Sequence, residues 1–173
     1  MKTYIILLRG INVSGKNKLP MADLRTLLND LGFKNVQTYI QSGNIILESE
    51  EGKSVVCNKI KEGIQRKFSY DVPVIARTIP EWKKAIAKYP FPIDNTKIVA
   101  FVFLNKKVYE TKIEVKGINN DEYLIDNDMI YIYCQSGFGK TKLSNNLFER
   151  KLNVTATTRN YNTTVKLLAL AEK

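Results

Sequence analysis

Strand-like and helix-like apolar patterns follow one another in a definite order along the first half of the chain. A continuous apolar run at Tyr4–Leu8 predicts a strand, and apolar residues every three or four positions over Pro20–Leu31 predict a helix. Two short strands around the hairpin connection Gln41–Asn44 come next, followed by a helix over Lys53–Phe68 and a strand over Val72–Thr78. The resulting order, βαββαβ, is that of a ferredoxin-like plait.

A similar order is visible in the second half. Pro80 starts a short helix around Trp82–Tyr89, and Pro90-Phe91-Pro92 breaks it. We predict these later elements: a strand at Lys97–Leu104, a helix at Lys106–Lys116, hairpin strands at Glu122–Ile125 and Met129–Cys134, a helix at Leu143–Leu152, a strand at Thr155–Thr157 and a helix at Asn160–Glu172. The fold class predicted is therefore α+β, with two tandem ferredoxin-like plaits, residues 1–92 and residues 93–173, as an internal duplication of elements.

The composition is that of a globular protein. Of its 173 residues, 44% are hydrophobic, and the first apolar run is far too short to span a bilayer and lacks a cleavage site after it. We expect a cytoplasmic protein without a membrane partner. The two cysteines, Cys57 and Cys134, have neither metal-site nor disulfide-framework spacing, so we expect reduced core residues.

The chain contains no histidine, which excludes histidine-dependent catalytic triads and His-based zinc sites. Acid–base chemistry would require a carboxylate, lysine, tyrosine or cysteine with a shifted pKa. Asp126 and Asp128 flank a hairpin turn without a third oxygen ligand nearby, so we assign them to the turn. We therefore expect no metal and no cofactor.

Net charge is +10, which favours anionic partners such as nucleic acid or a phosphorylated metabolite. Two regions are especially basic. Arg9–Ala22 has three bases and no acid, and the chain from Cys134 onward has seven bases and two acids. The alternative explanation is that lysines keep a small protein soluble.

The segment Gln135–Thr141 contains Gly-Lys-Thr after a strand, but a phosphate-binding P-loop also needs a glycine where Cys134 stands. The stretch Arg9–Lys18 has a better setting, because it joins a strand to a helix whose first amides are free to meet an anion. It lacks the Lys-Ser that would complete a P-loop. Alternating rings at Tyr131 and Tyr133, and at Phe101 and Phe103, suit a core better than base stacking.

Two polar segments remain open to more than one interpretation. Gln41–Asn44 is either an ordinary hairpin turn or, together with Tyr39, a set of ligand-binding groups. Thr157–Thr164 has more hydrogen-bonding side chains than a helix cap requires, although Asn160 or Thr158 is a suitable N-cap for the last helix.

Four segments together resemble one bacterial family, the domain of unknown function 1697. They are LLRGINVSGKNKLPMADLR, GFKNVQTYIQSGNIIL, TKL at 141–143 and TTRNYNTTVKLLALAE. Ser14 and Tyr161 depart from the family pattern, where glycine and tryptophan are usual. The resemblance implies two ferredoxin-like units in one chain. It implies no substrate, because the family's activity is not established. Its pattern singles out these residues here: Arg9, Gly10, Asn12, Lys16, Pro20, Met21, Tyr39, Gln41, Ser42, Gly43, Asn44, Lys142, Arg159, Asn160, Asn162 and Thr163.

We expect a basic cleft where the Arg9 segment meets the Arg159 segment. The predicted ligand-binding residues are Arg9, Asn12, Lys16, Gln41, Ser42, Asn44, Lys142, Arg159, Asn160 and Asn162. The leading hypothesis is a binding protein for an anion, with nucleic acid slightly ahead of a phosphorylated metabolite. One alternative is an enzyme acting on a phosphorylated or carboxylated small molecule, with Tyr39 or Lys142 near the chemistry. The other is a protein-interaction module.

Overall fold

The computed structural model describes all residues from Met1 to Lys173. It is an α+β structure with two four-stranded antiparallel sheets and five helices. The strands are β1 (Lys2–Leu8), β2 (Lys34–Tyr39), β3 (Asn44–Ser49), β4 (Val74–Thr78), β5 (Val99–Leu104), β6 (Glu122–Asp126), β7 (Met129–Tyr133) and β8 (Ala156–Asn160). The helices are α1 (Met21–Asp30), α2 (Lys53–Phe68), α3 (Ile79–Ala87), α4 (Asn145–Leu152) and α5 (Tyr161–Ala171).

The chain divides into two compact units. The first unit comprises Met1–Lys84 and Leu167–Lys173, and the second comprises Ala85–Lys166. The predicted α+β class with antiparallel sheets is confirmed. The domain limits expected from the sequence, 1–92 and 93–173, stay a prediction.

The first unit has the strand order β2-β3-β1-β4. Alternate residues of β1, among them Tyr4 and Ile6, pack in one core cluster with apolar residues of α1 and α2. The two helices approach closely at Gly63, where a Cβ atom would lie 2.9 Å from Leu31 Cδ1. The intervening residues Ile5 and Leu7 are also fully buried, so β1 is covered on both faces, which explains its continuous apolar run.

The second unit has the strand order β6-β7-β5-β8. Its core cluster combines one face of the sheet with Phe148 and Leu152 of α4. Phe101, Phe103 and Tyr131 are buried too, which confirms the prediction that these rings belong to the core, whereas Tyr133 is only partly buried.

The helix predicted at Lys106–Lys116 is wrong. The chain between β5 and β6 contains no helix and crosses the unit as an irregular segment, residues 105–121, which we name the crossover segment. Its apolar residues Ile113 and Val115 alternate with polar ones and pack against the core. β-Branched side chains at alternate positions disfavour a helix and suit an extended chain, which is the physical reason for the error.

The last strand is longer than expected. β8 continues to Asn160, and α5 begins at Tyr161. Asn160 Oδ1 accepts a hydrogen bond from the backbone N–H of Thr163 at 2.9 Å, which confirms Asn160 as the N-cap of the final helix. None of the five helices has the length and apolar character needed to cross a bilayer.

Candidate anion-binding site

The loop after β1 is held by its own asparagines. Asn12 Nδ2 donates to the backbone oxygens of Leu19, at 3.0 Å, and Gln41, at 2.8 Å, while its Oδ1 accepts from Leu19 N–H at 2.8 Å. Asn17 Nδ2 donates to the backbone oxygen of Gly10 at 3.0 Å. Both asparagines have positive φ, a conformation that asparagine tolerates better than most residues. Asn12 therefore joins the two predicted loops of the first unit.

The Gln41–Asn44 connection is locked against the same loop. Asn44 is fully buried, and its Nδ2 donates to the backbone oxygen of Tyr39 and to Ser42 Oγ. Gly43 has a φ of +83°, and a Cβ atom there would lie 2.7 Å from Leu8 Cβ, so only glycine fits. The structure thus brings the predicted residues of the two loops together. The side-chain amides of Asn12 and Asn44 make hydrogen bonds that stabilise these loops.

Charged side chains are exposed around these loops. Lys16 and Lys18 are exposed, as are Gln41 and Ser42, whereas Arg9 is partly buried at the end of β1. The Arg9 backbone N–H donates to the Pro73 oxygen at 3.0 Å. This end of the first unit is basic, and its exposed polar groups are spread over two turns.

The loop containing Gly-Lys-Thr is organised by a carboxylate. Asp121, 5% exposed, accepts hydrogen bonds from the Ser136 N–H at 2.8 Å and the Ser136 hydroxyl at 2.5 Å. Burial raises the pKa of the Asp121 carboxyl, but the hydrogen bonds from Ser136 and Thr141 outweigh it, so the pKa lies below its usual value. A buried carboxylate at the centre of this loop is incompatible with a P-loop phosphate cradle, as the sequence indicated.

A groove of about 400 Å³ lies beside α4 in the second unit. One wall is Glu114, Val115 and Lys116 of the crossover segment, and the other is the chain from Lys142 through α4. The basic side chains that line it are Lys116, Lys142, Arg150 and Lys151, with Glu114 as the one acid in its lining. We call this the Lys142 groove.

The groove exists because the crossover segment replaces a helix. In the first unit α1 and α2 pack side by side at Gly63 and close the corresponding face of the sheet. In the second unit α4 has no helical neighbour there, and an extended segment covers less of the surface. Gly117 lies close to the base of the Lys142 side chain, since a Cβ at 117 would be 3.8 Å from Lys142 Cγ.

The groove lining carries far more positive than negative charge. The acid of α4, Glu149, directs its Oε2 to the Ala156 N–H at 3.1 Å and is absent from the groove lining. By comparison, a concavity of about 450 Å³ on the outer side of α2 has the bases Lys61 and Arg66 beside the acid Glu62. Lys61 there is already 3.4 Å from a carboxylate oxygen of Asp71.

Arg159 lies on β8, opposite Phe101 of β5, and is 8% exposed. Its guanidinium donates to Thr157 Oγ1 at 2.7 Å and to the Thr158 backbone oxygen at 2.9 Å. Asn162 is exposed on the first turn of α5. The predicted meeting of these residues with the Arg9 loop stays a prediction.

Sequence reasoning identified Lys142 but missed three of the groove's bases. Lys116 falls in the predicted helix that does not form, and Arg150 and Lys151 fall in the predicted helix Leu143–Leu152 without being singled out as ligand-binding residues. The period-two pattern of Thr111, Ile113 and Val115 argues against a helix and could have placed Lys116 on an extended segment, whereas no comparable signal marks Arg150 and Lys151.

The structure offers few other groups that could bind a metal ion or act as a nucleophile. No group of three or more Cys, Asp or Glu residues is arranged to hold a metal ion. Cys57 and Cys134 are free thiols, and burial raises the pKa of both. Raised thiol pKa values disfavour the nucleophilic thiolate.

Comparison with known proteins agrees with the fold. A family model described as "Protein of unknown function (DUF1697)" matches residues 1–131, well over half of the chain. No curated protein matches. The conserved bacterial protein SP0830 from Streptococcus pneumoniae is similar in structure, with a TM-score of 0.76 and 23% sequence identity over 100% of this chain and 99% of that one. At this identity the similarity shows a common fold. The chain belongs to the DUF1697 family of proteins of unknown function.

Proposed function

We propose that this protein binds a phosphate-bearing anion in the Lys142 groove. The observation that supports the proposal is the groove itself, where four basic side chains and one carboxylate line a space of about 400 Å³. This surplus of positive charge in one concavity attracts an anion electrostatically. The arginine can bind phosphate oxygens in a bidentate manner, and the lysines act as point charges around it.

The surroundings of the groove hold its two walls in place. Ser144, in the lining, caps α4 by accepting the Leu147 N–H at 3.2 Å. Asp121 fixes the loop that leads to Lys142. The cations are therefore attached to supported backbone, so less conformational entropy is lost when an anion binds.

Titration with inorganic pyrophosphate, followed by amide NMR of the full chain, tests the proposal. We expect the largest shift changes at the amides of Lys116, Lys142 and Arg150, with saturation. The variant Lys142→Glu should weaken binding about tenfold, because one favourable charge becomes repulsive. Lys97→Glu, at an exposed lysine of the same unit outside the groove, is the charge-matched control. Shifts spread over all exposed lysines, or equal effects of the two variants, would contradict the proposal.

We further infer that each unit is a ferredoxin-like plait, the second having exchanged its first helix for the crossover segment. The antiparallel strand orders β2-β3-β1-β4 and β6-β7-β5-β8 support this inference. We also propose a cytoplasmic location, supported by the two free thiols, which suit a reducing compartment.

A further inference from the structure

Tyr109 is the most exposed large hydrophobic side chain of the second unit. It lies in the crossover segment and is 95% exposed, so its ring has no packing role in the unit. Its backbone N–H is hydrogen-bonded to Glu110 Oε2 at 3.2 Å, and Lys106 and Lys107 precede it, both exposed. An aromatic ring held out in solvent beside lysines is the arrangement with which single-strand binders stack bases.

The backbone places the start of the crossover segment at one end of the Lys142 groove. Just before Tyr109, the Val108 N–H donates to the oxygen of Asn127, in the turn between β6 and β7, at 2.9 Å. Asn105 N–H donates to the Thr155 oxygen at 3.1 Å, and Thr155 N–H donates to Asn105 Oδ1 at 2.9 Å. Thr155 follows closely on the last residue of α4, Leu152. The crossover segment therefore starts beside the C-terminal end of α4, near Arg150 and Lys151, and then runs along the helix to form the other wall.

The basic residues form a track in this direction. From Ser144 to Lys151 the helix rises about 10 Å, which exceeds the size of one phosphate group. Lys142 lies before that stretch, and Lys106, Lys107 and Tyr109 belong to the part of the crossover segment that starts at its far end. Lys106 and Lys107 thus lie between the groove and the exposed ring, while the acids near the ring are its neighbour Glu110 and the hairpin residues Asp126 and Asp128.

The lining of the groove suits a strand better than a small metabolite. Metabolite pockets are mostly apolar and enclose most of the ligand surface. In this groove Lys116, Lys142, Arg150 and Lys151 are all exposed, and the apolar contribution comes from Val115 and Leu147. An open, charged channel with an aromatic ring beyond one end is typical of sequence-tolerant single-strand binding.

From these observations we propose that the ligand is single-stranded nucleic acid. Its phosphates occupy the Lys142 groove, and a base stacks on Tyr109. This inference rests on the proposed anion-binding function and names the class of anion. Stacking on the Tyr109 ring gives an oligonucleotide additional affinity that pyrophosphate, which has no base, does not gain.

Fluorescence anisotropy of the full chain with labelled twelve-nucleotide oligouridine and oligothymidine tests the inference, with inorganic pyrophosphate measured in parallel by calorimetry. We expect the oligonucleotides to bind more tightly than pyrophosphate. Tyr109→Ala should weaken oligonucleotide binding about tenfold, the scale of one base–aromatic stack, and leave pyrophosphate binding unchanged. Tyr109→Phe keeps the ring and should bind the oligonucleotides within about twofold of the unsubstituted protein.

The oligonucleotide and pyrophosphate titrations together distinguish failure of the nucleic-acid inference from failure of the proposed anion-binding function. If pyrophosphate binds but the oligonucleotides bind no more tightly, or Tyr109→Ala has no effect on them, the nucleic-acid inference is wrong and the anion site stands. If neither the oligonucleotides nor pyrophosphate bind, the proposed function is wrong, and this inference fails with it. Equal losses for Tyr109→Ala and Tyr109→Phe would also contradict stacking.

Discussion

Asp121 and Ser136 are joined by two hydrogen bonds, because one carboxylate accepts both the backbone N–H, at 2.8 Å, and the hydroxyl, at 2.5 Å. The pair closes a loop across 15 residues, from the end of the crossover segment to the Gly-Lys-Thr loop. It connects the two stretches of chain that carry Lys116 and Lys142. The geometry of the proposed anion site therefore depends on a carboxylate that is itself buried.

Asp121→Asn should lower the free energy of unfolding at pH 7 by about 1–3 kcal/mol, since hydrogen bonds to a charged acceptor are lost or weakened. The folded-state pKa of Asp121 lies below its usual value. Its contribution is therefore fully present above about pH 4 and is lost as the pH falls through the folded-state pKa. Urea unfolding of both proteins from pH 7 to pH 3 measures this difference. Parallel stability curves over that range would show that the carboxylate charge is unimportant.

Gly43→Ala should destabilise the first unit by about 2–4 kcal/mol. The added Cβ would lie 2.7 Å from Leu8 Cβ and 2.8 Å from Ile11 Cδ1, and the φ of +83° adds strain for alanine. Gly15→Ala is the matched control, because its φ is +73° but no atom lies within 4 Å of the added Cβ. Its cost should be about 1 kcal/mol, from backbone strain alone. Urea unfolding that gave the same loss for both variants would contradict close packing at Gly43.

Asn12→Ala should cost about 1–3 kcal/mol, because it leaves the Leu19 N–H and two carbonyl oxygens without their partners. Asn17→Ala is the matched control, because both asparagines have a backbone φ near +50°. The Asn17 side chain makes one hydrogen bond, to the Gly10 oxygen. We expect the smaller loss there. Amide exchange at Leu19, faster in the Asn12 variant alone, would report the opening of the loop directly. A larger loss for Asn17→Ala would show that Asn12 does not hold the loops together.

The salt dependence of oligonucleotide binding provides another prediction. Each phosphate contact with a single strand lowers the slope of log affinity against log salt by about 0.7. Removing one contact with Lys151→Ala should make the slope shallower by about that amount, while Tyr109→Ala should lower affinity without changing the slope. Titrations at several salt concentrations measure both. An unchanged slope in Lys151→Ala would exclude a phosphate contact there.

Much of the fold was predictable because local patterns and long-range packing agree. The continuous apolar run Tyr4–Leu8 forms a strand buried on both faces, and α2 has the predicted limits Lys53–Phe68. The prediction failed in the crossover segment. There, polar residues between the apolar ones admitted a helix, and the packing of Ile113 and Val115 against the core decided otherwise.

The candidate site was predictable only in part. Lys142 was identified through the family resemblance, whereas Lys116 and Arg150 line the same groove through a tertiary arrangement that no spacing encodes. Asn12 and Asn44 were expected to face a ligand, and their side-chain amides instead make several backbone hydrogen bonds within the loops. The exposed ring of Tyr109 could not be distinguished in sequence from the buried ring of Tyr131.

Calorimetric titration of the full chain with pyrophosphate, before and after charge reversal in the groove, tests the central claim most directly. The double variant Lys142→Glu/Arg150→Glu should lose at least tenfold in affinity, because two of the four groove cations become anions. The control Lys34→Glu/Lys97→Glu, with the same net charge and both positions exposed outside the groove, should bind as the unsubstituted protein does. Equal losses in the two double variants, or no binding by the unsubstituted protein, would contradict an anion site at the Lys142 groove.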